Sequence, residues 1–271
     1  MVAGTTIHTE LIEHLKDLHL PTIRECYGDE AQRARQETLG YEEYLLELVQ
    51  RESEVRREKR IARHLRLSRL PLEKTLATFD LKRLPKKVAQ QTRVLLDGSF
   101  LDRKENVLAF GNPGSGKTHL LCAIAQELVH QGRRVLFSPC SLLVQELLIA
   151  KKDLKLARIL KRLSKFDAIV IDDIGYVQHD REEMEVLFAL LADRYETGSV
   201  MLTSNLPFSQ WESIFKDPMT TAAAIDRLVH HSVILELNLA SYRLEESKAK
   251  SKPTRRSTSK VGTTNLKNRE K

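Results

Sequence analysis

Gly111-Asn112-Pro113-Gly114-Ser115-Gly116-Lys117-Thr118 decides how the rest of this 271-residue chain is read. The stretch fits G-x-x-x-x-G-K-T without a gap. The apolar run Val107-Leu108-Ala109-Phe110 stands directly before it, and a helix-compatible segment, Thr118 to His130, directly after it. That context matters, because glycines let backbone N–H groups turn inward around phosphates and a helix N-terminus adds a favourable dipole. The spacing lets Lys117 reach the β- and γ-phosphates and lets the Thr118 hydroxyl hold Mg²⁺. Gly111, Asn112, Pro113, Gly114, Ser115, Gly116, Lys117, Thr118 and the following His119 are therefore the expected nucleotide-binding residues, with ATP and Mg²⁺ as cofactors.

Reading outward from that loop, short apolar runs alternate with helical stretches. Val135-Leu136-Phe137, Ala168 to Ile171, Val200 to Thr203 and Val233 to Leu235 are the further predicted strands. Helices are predicted for Ser141 to about Leu163 and for Arg181 to Tyr195, with more helix before the last strand. Strands separated by helices imply right-handed crossovers and a parallel sheet covered on both faces. The predicted fold is therefore α/β: a P-loop core with a five-stranded parallel sheet, preceded by a small all-α domain.

Four regions are expected: a helical domain over 1–70, a linker over 71–105, the core over 106–246 and a basic, disordered tail over 247–271. In the first, Leu11, Ile12, Leu15 and Leu18 recur at helical spacing, Thr9 is a possible cap, and Leu20-Pro21 marks a boundary. Tyr41 to Leu70 contains neither Pro nor Gly and reads as one long helix, with an apolar stripe of Tyr44, Leu45, Leu48 and Val49 in its first half. Pro71, Pro85 and Gly98 punctuate the linker.

The formal charge of +7 is unevenly placed. Nine Lys/Arg face one Glu between Lys248 and Lys271, and eight face three Glu between Arg51 and Leu70. Such segments beside a near-neutral core suggest an anionic partner, most often nucleic acid. Arg56, Lys59, Arg60, Arg63 and Arg66 are the expected DNA-contacting residues, since offsets of three and four place most of them on one helix face. The apolar runs are far shorter than the roughly 20 residues a membrane span needs. Cys26, Cys122 and Cys140 lie far apart without metal-ligand spacing, and the first residues show no secretory pattern, so a cytoplasmic protein is expected.

Three further elements carry chemistry. Ile169-Val170-Ile171-Asp172-Asp173 is a strand ending in two acids, with Asp172 expected on the metal side and Asp173 polarising an attacking water. Asp is one methylene shorter than the Glu common at the second position, which is compatible with slow or partner-dependent hydrolysis. Asn205 in Thr203-Ser204-Asn205 stands at the end of the next apolar strand, where it orients that water or makes a turn before Leu206-Pro207. Arg227, in Ala222 to Leu228, either pairs with an acid of its own chain or reaches a neighbouring subunit's γ-phosphate as an arginine finger.

Taken together these residues resemble a family, the IstB-like ATPases that help a class of bacterial insertion sequences. The resemblance rests on Val107 to Leu121, Phe166-Asp167, Ile174-Gly175-Tyr176, Asp193-Arg194-Tyr195 and Thr203 to Phe208. It continues through Trp211, Ile225-Asp226-Arg227-Leu228, His230-His231-Ser232 and Ser241-Tyr242-Arg243-Leu244. It implies an AAA+ ATPase related to the DnaC-type helicase loaders. It further implies a homo-oligomer with ATP sites shared between subunits, assembly on double-stranded target DNA, and a partner transposase of the same element. Within it, Asn205 is a sensor and Arg227 the intersubunit finger, while His230 and His231 stay ordinary histidines. A replicative helicase loader is the alternative role. Little chain follows the fifth strand apart from the polar tail, so no helical lid or second arginine sensor is expected. The nucleotide should then be exposed on one side.

Overall fold

The apolar runs pair into one parallel sheet in the order β2-β3-β4-β1-β5. Its strands are β1 (Asn106–Phe110), β2 (Val135–Pro139), β3 (Ala168–Asp172), β4 (Ser199–Ser204) and β5 (Ser232–Glu236). Val107 stands opposite Met201 on β4 and Val233 on β5, and Val170 on β3 also lies opposite Met201. Ile169, Val170, Leu108 and Leu202 are essentially inaccessible, as strands covered on both faces require. The computed structural model describes residues 2–175, 181–212 and 218–242. Tyr176, Arg243, Leu244 and the expected tail over 247–271 lie outside the described residues.

Helices cover both faces. On one, α7 (Cys140–Lys152), α8 (Leu156–Leu163), α9 (Arg181–Arg194) and α10 (Pro218–Val229) build a core around Leu143, Leu147, Leu187 and Leu190. On the other, α6 (Lys117–His130) is buried along most of its length through Leu120, Leu121, Ile124 and Leu128. The single helix expected from Ser141 to Leu163 is two. Leu154 takes a left-handed conformation, with its N–H bonded to the Lys151 carbonyl and the Lys155 N–H bonded to the Ala150 carbonyl. This pair is a Schellman closure built without glycine. It ends α7 and lets α8 turn Leu156, Ile159, Leu160 and Leu163 onto the core.

Residues 71–105 contain α4 (Lys86–Leu95) and the short α5 (Ser99–Asp102). Val88, Leu95, Phe100 and Leu101 from this stretch are buried in the core on the α6 side.

At the start of the chain, α1 (Val2–Asp17), α2 (Pro21–Glu37) and the 28-residue α3 (Tyr41–Ser68) surround a small cluster of Leu15, Ile23 and Leu48. Because α1 begins at Val2, Thr9 lies inside the helix and does not cap it. Of the apolar stripe on α3, Leu48 is buried and Tyr44 half-buried, while Leu45 and Val49 are exposed. Tyr44 and Leu48 face α1 and α2, and the other two point away. At about 1.5 Å per residue α3 is roughly 42 Å long, long enough for its far end to place Leu65 and Leu70 with the core. The buried Glu52 ties α3 to α2 by accepting the Thr22 and Ile23 N–H groups at 2.8 and 3.1 Å. Burial works against its charge, yet the Arg56 guanidinium at 2.6 Å and the two amides hold it below the ordinary carboxylate value.

Candidate nucleotide site

The loop 111–116 leaves the C-terminal end of β1 and runs into the N-terminus of α6. Two of its glycines are required by close approach. Gly111 has φ 152°, and a Cβ there would collide with the Leu237 carbonyl just beyond β5. Gly114 has φ 81°, and a Cβ there would strike Ser241. The Lys117 ammonium is folded back over the loop, donating to the carbonyls of Gly111 at 2.7 Å and Asn112 at 3.0 Å. It is thus stationed inside the cradle that phosphates would fill.

β3 and β4 bring the second half of the site to the same end of the sheet. Thr118 Oγ1 donates to Asp172 Oδ1 at 2.7 Å across 54 residues of sequence. Thr203 Oγ1 donates to the same carboxylate oxygen at 2.7 Å and accepts the Asp173 N–H at 2.8 Å. One fully buried hydroxyl therefore fixes both acids. Asp173 itself is exposed and held at φ 60°, a conformation uncommon outside glycine that Asp tolerates better than most residues.

Asn205 follows β4, and its Oδ1 is buried without a hydrogen-bond partner. The chain beyond it is pinned by aromatic packing. Trp211 is fully buried, stacks 5.0 Å from Phe208, and donates its indole N–H to the Leu206 carbonyl at 3.2 Å. Phe110, the last residue of β1, joins this cluster 4.7 Å from Phe208. The strand that feeds the loop and the segment that carries Asn205 are thereby set against each other.

The loop from Pro113 to His119, Asp173 and Asn205 line a cavity of about 340 Å³ together with residues that the sequence reading did not select. Thr78, Phe79 and Arg83 enter from the stretch before α4, and Leu239, Ala240 and Tyr242 from the segment after β5. Tyr242 donates its backbone N–H to Gly114 at 3.0 Å, and the Arg83 guanidinium lies 5.3 Å from the centre of its ring. The His119 ring turns to this wall, within 3.1 Å of both Thr78 Oγ1 and the Thr75 carbonyl. Only Tyr242 carried any signal beforehand, as part of the Ser241–Leu244 run.

Arg227 is not brought to this cavity. It sits near the end of α10, just before β5 begins, at the opposite end of the sheet, with its guanidinium 4.7 Å over the Phe188 ring and bonded to the Ala223 carbonyl at 3.1 Å. Arg56 is likewise engaged locally, with Glu52 and with the His19 carbonyl.

The residues fit a nucleotide and its metal. The glycine cradle has no room for a Cβ at Gly111 or Gly114, a buried carbonyl oxygen of Asn205 lacks a partner, and Thr118 and Asp172 set a hydroxyl beside a carboxylate. Such hard oxygen donors suit Mg²⁺.

With the site described, comparison with known proteins identifies its kind. The chain matches the family described as IstB-like ATP binding protein over residues 13–251. It belongs to that family. It is 42% identical over 230 residues to a Sinorhizobium fredii protein named as an insertion sequence ATP-binding protein, covering 84% of this chain and 77% of that one. It is 39% identical over 238 residues to the Pseudomonas aeruginosa protein named for ATP binding in insertion sequence IS21, covering 88% and 89%.

Among solved structures, this IstB-like chain is similar to the DnaC helicase loader, with a TM-score of 0.52 at 17% identity over 60% of this chain and 96% of that one. It is also similar to AMPPCP-bound DnaA from Aquifex aeolicus, with a TM-score of 0.51 at 18% identity over 67% and 55%. At these identities the likeness shows the fold, that of a P-loop AAA+ protein.

Two motifs behind the resemblance prove structural. Arg194 is buried and donates to the carbonyls of Phe166, Asp167 and Ser199 at 2.7–3.0 Å and of Leu163 at 3.3 Å. It clamps the ends of α8 and α9 to the starts of β3 and β4. Asp167 in turn accepts the Arg134 N–H at 2.7 Å.

Proposed function

We propose that this protein is an ATPase that assembles as a homo-oligomer on double-stranded target DNA and assists the transposase of its insertion sequence, working in the cytoplasm. The observation that carries the reading is the convergence of Lys117, Thr118, Asp172, Asp173 and Asn205 on one phosphate cradle at the C-terminal edge of the sheet. Lys117 would release the loop carbonyls and turn to the β- and γ-phosphates. Thr118 and Asp172 would hold Mg²⁺, which when bound neutralises phosphate charge. Asp173 accepts the proton of the attacking water, and the unpaired Asn205 oxygen orients that water.

The position of Arg227 at the other end of its own sheet supports a role in trans. In a ring or spiral of subunits it would complete a neighbour's site, supplying positive charge to the transition state. Lys59, Arg60, Arg63 and Arg66 on α3 supply contacts to DNA phosphates, which position a duplex without reading its sequence. Arg56, committed to Glu52, contributes by holding α3 against α2.

ATP hydrolysis measured with and without duplex DNA, alongside oligomer size, tests this reading. Duplex should raise the rate, and both Asp173→Asn and Arg227→Ala should abolish it while ATP still binds. A rate indifferent to DNA, with Arg227→Ala fully active, would refute the shared site. Co-purification with a hexameric helicase in place of a transposase would favour the helicase-loader role.

A further inference from the structure

A second concave site lies at the other end of the sheet from the nucleotide. The cavity, about 770 Å³, is bounded by the last turns of α3 and by the segments that lead into β2 and β3. Arg60, Arg63 and Arg66 line one wall, and Arg134, Arg162 and Lys165 the other. Among the described residues, no Asp or Glu lines it. Arg162 pairs with Glu146. Among the described residues, the side chains of the other five make no ion pair or hydrogen bond. Packing that many cations around one hollow is unfavourable unless an anion enters it.

A buried ring marks the same place. His64, only 8% exposed, lines the groove, and its Nδ1 is buried without a partner. Burial, and then the positive charges of Arg63, Arg134 and Arg60, push its pKa below the ordinary histidine value. The groove therefore carries a concentrated positive field.

We infer that this groove seats the phosphate backbone of duplex DNA, with Arg134 and Lys165 of the ATPase core acting jointly with Arg60, Arg63 and Arg66 of α3. The inference rests on the DNA-binding reading above and adds the core wall to it. The geometry favours a backbone. Residues 60 to 66 rise about 9 Å along a helix, and phosphates on one strand recur about every 3.4 Å of the duplex axis, so the row spans two or three of them. Binding by base stacking would need aromatic platforms. Among the described residues, Phe166 is the only aromatic lining residue apart from His64, and it packs against the core. Because the groove adjoins the N-terminal ends of β2 and β3 while the phosphate cradle follows the C-terminal end of β1, both ligands can be held at once. The five-residue strands separate them by roughly 16 Å.

The test is the salt dependence of binding to a fluorescein-labelled duplex of mixed sequence, using the full chain with Mg-ATP. One variant carries Arg63→Ala, Arg134→Ala and Lys165→Ala. A control loses three exposed charges elsewhere, through Arg57→Ala, Lys86→Ala and Lys87→Ala. All six positions are exposed, and melting curves check that each variant is folded. Each lost phosphate contact should flatten the slope of log affinity against log salt by about 0.9, so the groove variant should lose about 2.7 and the control nothing. A slope lowered by no more than about 0.9 in a duplex-binding protein leaves at most the Arg63 contact of the functional reading, and would overturn the core wall while leaving that reading standing. If the unaltered protein fails to bind duplex, both fall. Polyglutamate serves as a rival ligand: if the groove variant loses it and keeps DNA, the groove belongs to an acidic protein partner.

Discussion

Replacing Thr203 with valine keeps the volume and β-branching of a fully buried strand residue and removes only its hydroxyl. That hydroxyl makes two bonds, a donated one to Asp172 Oδ1 at 2.7 Å and an accepted one from the Asp173 N–H at 2.8 Å. The first is charge-assisted and worth about 1.5–3 kcal/mol, and the second, if left unmade in a buried setting, costs about 1–3 kcal/mol. Two features reduce the total. Thr118 still donates to the same Asp172 oxygen, and Asp173 is exposed enough for water to reach it. A loss of about 2 kcal/mol follows, equivalent to roughly 4–8 °C in melting temperature for a chain of this size. The catalytic effect should be separable. Asp173 sits at φ 60°, a conformation that costs about 1–3 kcal/mol and persists only where its surroundings fix it. Without its anchor the carboxylate relaxes, and the hydrolysis rate should fall about 10- to 100-fold, since each 1.4 kcal/mol of barrier is tenfold. Nucleotide affinity, which depends on the glycine loop, should change little. Thr203→Ser keeps both bonds and should retain most of the rate. Steady-state hydrolysis, fluorescent-nucleotide titration and thermal melting read the three quantities. A Thr203→Val protein that hydrolyses ATP at the unaltered rate and melts within a degree of it would show that the bridge does nothing for the acids.

Other perturbations give outcomes of a different kind. Lys117→Ala should weaken ATP binding at least tenfold in an equilibrium titration, because it removes the cation stationed over the Gly111 and Asn112 carbonyls. Tyr242→Ala should weaken ATP binding while leaving Lys117 in place, and unaltered affinity would remove the wall formed by Arg83 and Tyr242 from the site. Arg194→Met should lower stability in denaturant titration, since four carbonyls lose their donor and each buried acceptor left unmade costs about 1–3 kcal/mol; Arg194→Lys should rescue little, lacking the planar fork. Burial pushes the Cys122 and Cys140 thiols up to about 12, so at pH 8 the folded protein should expose one reactive thiol, Cys26, and unfolding should release two more. In the unfolded chain those thiols ionise near 9 while the folded chain keeps them protonated, so stability should decline as pH rises from about 9 toward 12 and be untouched by them below pH 8.

What could be read in advance was whatever the chain writes locally. The glycine loop, the apolar run before it and the helix after it are contiguous, and each of the five strands is a short run bounded by polar residues. Asp172 could be proposed for the metal side because, with a P-loop in the same chain, an acid ending a buried strand is where such a site needs its carboxylate. The break between α7 and α8 escaped because the left-handed position at its centre is filled by Leu154, a residue that gives no turn signal. Phe79 and Arg83 escaped for a different reason. They stand in a stretch that looks like a linker, and only the folding of α4 and α5 onto the sheet carries that stretch to the edge of the phosphate cradle.

Thr203 and Arg134 make the same point more sharply. In sequence the first stands in the Thr203-Ser204-Asn205 run with no role of its own assigned, and the second is one more surface cation. Their neighbours come from residues 172–173 in one case and from α3 in the other, and no spacing rule reports contacts of that range. The two residues also lie at opposite ends of the same parallel sheet, one at the end where β3 and β4 deliver their acids and the other where β2 begins. Arg194 closes the path between these ends. It grips the carbonyls of Phe166 and Asp167 beside the basic groove and that of Ser199 at the start of β4, the strand whose far end carries Thr203 and Asn205. A parallel sheet makes this arrangement possible, because every strand starts at one edge and finishes at the other. A ligand seated among the arginines would therefore lie against the starts of strands whose far ends position the acids, and the DNA dependence of hydrolysis in an Arg194→Lys protein tests whether that continuity carries any coupling.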